Sequence, residues 1–192
     1  MRRAVLTRKT NETDIHIEID LDRKAASKIS TGIGFFDHML ELFAFRADIS
    51  LTAECKGDLH IDGHHTVEDV GIVLGQAIGQ ALGDKMGITR YGNATIPMDE
   101  SLASCALDIS GRSFLVYNAS LSAERVGDFD VELAEEFFRS LCSNCGMTLH
   151  INLHYGKNNH HILEAIFKAF GCAFKDAFKI RGNTVSSTKG VL

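Results

Sequence analysis

Two short stretches, HHTVE at 64–68 and HHILE at 160–164, hold the residues of this chain best suited to chemistry. Each sets a pair of histidines three and four residues ahead of a glutamate, and in a helix that spacing puts all three on adjoining parts of one face. Neighbouring helical side chains diverge by about 100°. His64 and His65 therefore reach toward two places rather than one, and so do His160 and His161. With Glu68 and Glu164 the two copies supply four imidazoles and two carboxylates, most of a two-metal site, and His38 in FFDHML is a further candidate. Imidazole and carboxylate without thiolate suit a divalent ion of manganese, iron or zinc type, and more than four ligands favours octahedral manganese over tetrahedral zinc. A lone histidine is commonly a hydrogen-bonded surface or core residue. Two copies of one pattern are not explained that way, whereas His16, His60, His150 and His154, in strand-like segments, are read as ordinary.

The copies are offset by 96 residues, half of the 192 in the chain. Each follows an FF-containing helix and an LHI segment, with 28 residues from the second Phe to the first His in one half and 22 in the other. Periodicity predicts strands at 14–21 and 48–56 and helices at 35–45 and 64–86. In the second half it predicts strands at 101–110 and 112–122, read as a pair, a helix at 131–144, a strand at 147–155 and a helix at 160–178. Gly71, Gly75 and Gly79 are read as letting the second helix lie close on a sheet, since each interior glycine otherwise costs roughly 1 kcal/mol relative to Ala. The expected architecture is α+β: two fused β-α-β-type units forming one domain, with antiparallel-leaning sheets backed by helices on one face. The aperiodic tail RGNTVSSTKGVL is expected to stay mobile until a ligand orders it.

Lys+Arg 20 against Asp+Glu 25 leave a formal net charge of −5, which offers nucleic acid no electrostatic footprint. No apolar run approaches the roughly 20 residues of a membrane helix, and no apolar segment follows Arg2 and Arg3 as a secretory signal requires. Five cysteines in such a chain are expected to be reduced, in a cytoplasmic setting. Cys142 and Cys145 form a lone CxxC near a helix end; without a second pair it is read as helix packing rather than as a zinc or redox site.

TGIGFFDHML (31–40), DGHHTVEDVGIVLG (62–75), RYG…PMDE (90–100), GMTLH (146–150), NNHHILEAIFKAF (158–170) and SSTKGVL (186–192) together resemble the imidazoleglycerol-phosphate dehydratase family nearly end to end. The resemblance implies two fused ferredoxin-like, split β-α-β repeats (about 1–92 and 93–180, with the tail 181–192), each a four-stranded sheet backed by helices. It further implies a cage-like homo-oligomer of 24 subunits with dimanganese sites between neighbours, and leaves no room for the fused phosphatase domain of some members. His38, His64, His65, Glu68, His160, His161 and Glu164 fall on the family's metal-ligand positions. A ligand histidine of some members stands here as Glu136, either a substitute ligand for manganese or a plain helix-face charge.

The implied reaction removes water from D-erythro-imidazole-glycerol phosphate to give imidazole-acetol phosphate in L-histidine biosynthesis. Glu12, in KTNETD, falls at the position implied to move protons, with Glu68 and Glu164 in the catalytic set. Arg90, Arg112, Lys168, Ser187, Thr188 and Lys189 are the implied binders of the phosphorylated substrate. The family's usual Pro-Ser-Ser-Lys reads Ser186-Ser187-Thr188-Lys189 here, keeping a hydroxyl at Thr188 but losing the proline. Two rival readings use the same residues: a two-metal hydrolase, and a metal-storage or metal-linked structural protein.

Overall fold

A computed structural model of the chain describes residues 1–190 and 192. The first half runs β1 (Arg3–Lys9), β2 (Thr13–Asp20), β3 (Lys28–Ser30), α1 (Gly34–Ala47), β4 (Ser50–Gly57) and α2 (His64–Leu82). The second runs β5 (Tyr91–Met98), β6 (Ser101–Asp108), β7 (Phe114–Asn118), β8 (Arg125–Val126), β9 (Phe129–Asp130), α3 (Leu133–Cys145), β10 (Thr148–Tyr155) and α4 (Asn159–Phe178). The sheets have one topology, β1-β2-β4-β3 and β5-β6-β10-β7, each antiparallel except for its last pair. The mixed α+β class and the doubled four-stranded plan thus agree with the expectation.

The expected pairing of 101–110 with 112–122 does not occur. β10 lies between β6 and β7 and pairs with both, antiparallel to the first and parallel to the second. A parallel neighbour needs a crossover connection, and α3 supplies it, so β7 is carried to the sheet edge. Two edge strands, β1 and β5, carry no clear sequence signal. The outward positions of β1 are taken by Arg3, Val5, Thr7 and Lys9, and β5 contains Pro97, which an edge tolerates because no ladder hydrogen bond is lost on the open side.

β2 shows why the sheet faces inward as it does: Ile15, Ile17 and Ile19 alternate with polar residues and are buried to within 1%. α2 packs on β1, β2 and β4, α4 on β5, β6 and β10, while α1 meets α4 and α2 meets α3. The helices therefore lie between the two sheets. Eight fully buried phenylalanines, among them Phe36, Phe43, Phe137, Phe167 and Phe170, fill this middle layer, with Phe43 stacked on Phe170 at 4.9 Å and Phe137 on Phe167 at 5.6 Å. Cys142 and Cys145 are buried free thiols on α3, in keeping with plain packing.

The glycines of α2 face α3, not the sheet. A Cβ at Gly75 would stand 2.6 Å from the Leu141 carbonyl oxygen, and one at Gly71 2.9 Å from that of Phe137. Two helix backbones approach there, and no side chain can be accommodated without separating them. At Gly79 the same construction meets only ordinary contacts beyond 3.6 Å. Gly75→Ala is therefore expected to lose about 1–2 kcal/mol, overpacking outweighing the propensity gain. Gly79→Ala is expected to gain about 0.5–1 kcal/mol. Denaturant unfolding of the two variants checks this; equal signs would place the helix contact wrongly.

Candidate metal centre

Both HHxxE motifs open a helix, and in each an Asx side chain two positions ahead takes the first histidine's amide, although the N-cap itself is Gly63 in α2 and Asn158 in α4. Asp62 Oδ1 accepts the His64 amide at 2.8 Å and Asn158 Oδ1 the His160 amide at 3.0 Å. Asp62 and Asn158 are 96 residues apart, as the motifs are. A side-chain oxygen on a free first-turn amide is the standard means of starting a helix, and here it fixes where the histidines emerge.

At the start of α4 the His160 Nε2 and His38 Nε2 atoms lie 3.3 and 2.8 Å from Glu164 Oε1. One ligand atom from each of the three residues falls within 4.8 Å of the others. No second such trio of His, Cys, Asp or Glu occurs among the described residues. Glu164 is 9% exposed at its side chain, and Lys168 donates to its Oε2 at 2.6 Å. Burial pushes the Glu164 carboxyl up, but Lys168 and His38 outweigh it and bring it down to about 2. The site thus holds a carboxylate at any ordinary pH. Phe35 walls it, its ring 5.0 Å from that of His160.

His161 turns away, its ring at 84° to that of His160. Its Nδ1 lies 2.7 Å from Glu100 Oε2 and its Nε2 3.8 Å from Asp99 Oδ2. The first motif is laid out in the same manner. His64 Nε2 lies 3.8 Å from Glu68 Oε2, while His65, at 89° to it, sets Nδ1 2.9 Å from Asp58 Oδ2 and Nε2 3.8 Å from Glu12 Oε1. The divergence expected from the helical turn is present in both halves. Glu12 rides on the β1–β2 turn, where Thr10 Oγ1 accepts the Glu12 amide at 3.1 Å. That turn is tied to α2 by the buried Asp69, whose Oδ2 accepts from Thr13 Oγ1 and meets Arg8 Nη1, both at 2.5 Å.

Within one chain, then, His38, His160 and Glu164 converge, His64 pairs with Glu68, and His65 and His161 face carboxylates of their own. Glu136 lies beside Arg139 at 3.5 Å and joins no such cluster. Arg90, Arg112, Ser187, Thr188 and Lys189 line a separate cleft of about 340 Å³. Asp108 holds both arginines there: Arg90 grips it with two nitrogens, at 2.6 and 3.0 Å, and Arg112 stands 3.5 Å away. Arg90 also donates to the Ser186 carbonyl at 2.9 Å, folding the tail over the cleft. Lys168, grouped with these residues from the sequence, stands instead at the metal-type cluster. Asp69 and Glu100 fall inside the motifs DGHHTVEDVGIVLG and PMDE without a role read for them there, and Asp58 and Asp108 lie outside every quoted motif, because a carboxylate whose partner stands elsewhere in the chain leaves no periodic trace.

The fold and these side chains define a class: an enzyme built on two fused split β-α-β units, with histidine and carboxylate chemistry at helix starts and an arginine-lined cleft apart from it. The sequence pattern of the imidazoleglycerol-phosphate dehydratase family matches residues 31–174. The chain belongs to this family of hydro-lyases, consistent with a place in histidine biosynthesis. It is 57% identical over 194 residues to an imidazoleglycerol-phosphate dehydratase of Oceanobacillus iheyensis, with both chains covered in full. To that of Acetivibrio thermocellus it is 56% identical over 193 residues, covering 100% of this chain and 99% of the relative. The solved structure of imidazoleglycerol-phosphate dehydratase from Staphylococcus aureus superposes with TM-score 0.85 at 46% identity, over 93% of this chain and 99% of that one. The enzyme from Pyrococcus furiosus gives 0.83 at 38%, over 97% and 100%. Among the described residues no helix is long and apolar enough to cross a membrane.

Proposed function

We propose that the chain dehydrates D-erythro-imidazole-glycerol phosphate to imidazole-acetol phosphate, in the cytoplasm, with manganese at its HHxxE motifs. The observation that carries this reading is the His38–His160–Glu164 cluster. Its donor set is two imidazoles and one carboxylate with no thiolate, and the carboxylate is kept ionised by Lys168. That set fits a divalent ion of manganese type. Three ligands leave positions open, and His64, His65, Glu68 and His161 remain to fill them, with Glu136 as a further carboxylate. A symmetric homo-oligomer, 24 subunits in this reading, lets the α2 start of one copy face the α4 start of another.

Bound metal would supply charge stabilisation and hold the substrate's imidazole ring. The chain's own residues do the rest. Arg90, Arg112 and Lys189 bring positive charge to the phosphate and Ser187 and Thr188 bring hydroxyl donors. Lys168 is the further candidate for the phosphate in this reading, its ammonium standing 2.6 Å from Glu164 Oε2 in the single chain. Asp108 keeps both guanidinium groups aimed into the cleft. Glu12, half exposed and 3.8 Å from His65 Nε2, is in this reading the group that takes a proton from carbon and gives one back.

The test is to strip the protein with a chelator, assay it, and add Mn2+ back. The expected result is loss of ketone formation on stripping and recovery with Mn2+, with no inorganic phosphate released. Turnover unaffected by the chelator would overturn the metal reading, and phosphate release in place of ketone would favour hydrolysis at the same site.

A further inference from the structure

Each HHxxE motif contains one histidine that does not share its ion-facing side with the helix's own glutamate: His65 in α2 and His161 in α4. Both rings are held at Nδ1 by a carboxylate, Asp58 at 2.9 Å and Glu100 at 2.7 Å. A neutral imidazole carries one N–H and one lone pair, and the partner at one nitrogen decides which nitrogen carries the proton. A carboxylate can only accept, so at Nδ1 it selects the Nδ1–H form and leaves the Nε2 lone pair free to bind a metal. It also makes that lone pair a stronger donor.

The two carboxylates occupy different positions of the repeat. Gly57, the last residue of β4, and Gly156, the first after β10, mark equivalent points, since a Cβ on either would strike the third residue of the following motif, Thr66 or Ile162. Asp58 therefore corresponds to Lys157, which cannot do its work. In the second half the carboxylate comes from Glu100, just before β6, and the counterpart of Glu100 in the first half is Glu12, just before β2. Simple duplication of a unit copies one position. Here two different backbone positions deliver the same group to the same ring nitrogen.

The hairpin glutamates have accordingly diverged. Glu100 is immobilised, its Oε1 taking the Asn158 amide at 2.7 Å, the Lys157 amide at 3.1 Å and the Ser101 hydroxyl at 3.1 Å. Glu12 accepts no such bonds among the described residues and keeps a half-exposed carboxylate. Asp58 is committed differently: its Oδ1 is buried without a partner, so His65 is the group that compensates its burial through Oδ2.

We propose that Asp58 and Glu100 are positioning residues that lock His65 and His161 with Nε2 presented to metal, leaving Glu12 free to carry protons. The inference rests on the metal reading above. It is tested by calorimetric titration of Mn2+ into the stripped full-length protein and into Asp58→Ala, Glu100→Gln and Glu12→Gln variants. Glutamine is used at 100 so that the two backbone amides keep an acceptor. Asp58→Ala and Glu100→Gln are expected to bind Mn2+ about 10–100-fold more weakly, with turnover restored by excess Mn2+, a rescue that a misfolded site would not show. Glu12→Gln is expected to bind Mn2+ as the unaltered protein does. Mn2+ affinity within twofold of normal in Asp58→Ala overturns the inference, as does a turnover loss that excess Mn2+ leaves unrepaired. Should Glu100→Gln fail to assemble, Asp58→Ala decides alone. Failure of the unaltered protein to bind Mn2+ overturns the metal reading itself, which separates the two failures.

Discussion

Exchanging Glu12 for glutamine is expected to lower kcat by about 10²–10⁴-fold, the range that a positioned proton carrier contributes, while leaving Mn2+ affinity unchanged. The turn that bears Glu12 is rigid. Thr10 Oγ1 accepts both the Glu12 and the Thr13 amides, and Thr13 Oγ1 is bonded to the buried Asp69 of α2. The backbone is thereby fixed to the helix that carries His64, His65 and Glu68. The carboxylate itself is 52% exposed and 3.8 Å from His65 Nε2. Rigid mounting with an uncommitted head is what proton transfer needs, because the group must be placed but not consumed. Glutamine keeps the size of the side chain but cannot take up a proton. Steady-state kinetics beside a Mn2+ titration checks the split, and kcat within fivefold of the unaltered protein would remove Glu12 from the role.

Glu164→Gln is the second large effect. Its carboxylate is the one acceptor on which His38, His160 and Lys168 all converge. Loss of a direct ligand is expected to exceed the roughly 10–100-fold penalty of losing a ligand's hydrogen-bond partner, so Mn2+ affinity should fall by more than about 100-fold and turnover with it. The metal-free protein is affected too. Lys168, 12% exposed, is left without its anion, and removing one partner of a buried pair costs about 3–5 kcal/mol. The pH dependence has a definite sign. The folded carboxyl titrates at about 2 against an ordinary 4.5, so its contribution to stability is complete above about pH 4.5 and is lost as pH falls toward 2. The Gln variant should lack that part of the acid-unfolding slope. Equal Mn2+ binding, or an unchanged slope, would show that Glu164 does not anchor the cluster.

Much of this site is legible in the order of the amino acids. The HHxxE spacing, the Asx residues two positions ahead of each motif and the FF pair before His38 are local patterns, and local hydrogen bonding decides them. Glu68 and Glu164 stand with the first histidine of their motif for the same reason. The features that leave no such trace have a common physical character. The glycines of α2 contact α3 across more than 60 residues of chain, so their spacing marks a helix with a smooth face but not which surface it meets. The segment of β7 reads as a partner of β6, its neighbour in sequence, because a parallel partner is reached only through a crossover and leaves no signal in the strand. Asp58 and Glu100 have no role assigned from the sequence, and it is their distance to a ring nitrogen that gives them one.

The sequence by itself determined that there are two repeats and that each begins a helix with paired histidines. It also determined that the members of each pair diverge, since a backbone hydrogen-bonded every turn permits nothing else; the rings stand at 89° and 84°. Tertiary structure alone decided which residues meet. His38 reaches Glu164 across 126 positions, and Asp128 takes the free amides of Gly34 and Phe35 at the start of α1 from more than 90 residues away. Those meetings follow from the burial of apolar faces. The phenylalanines of α1, α3 and α4 must share one interior, and when they do so the start of α4 comes to lie beside His38.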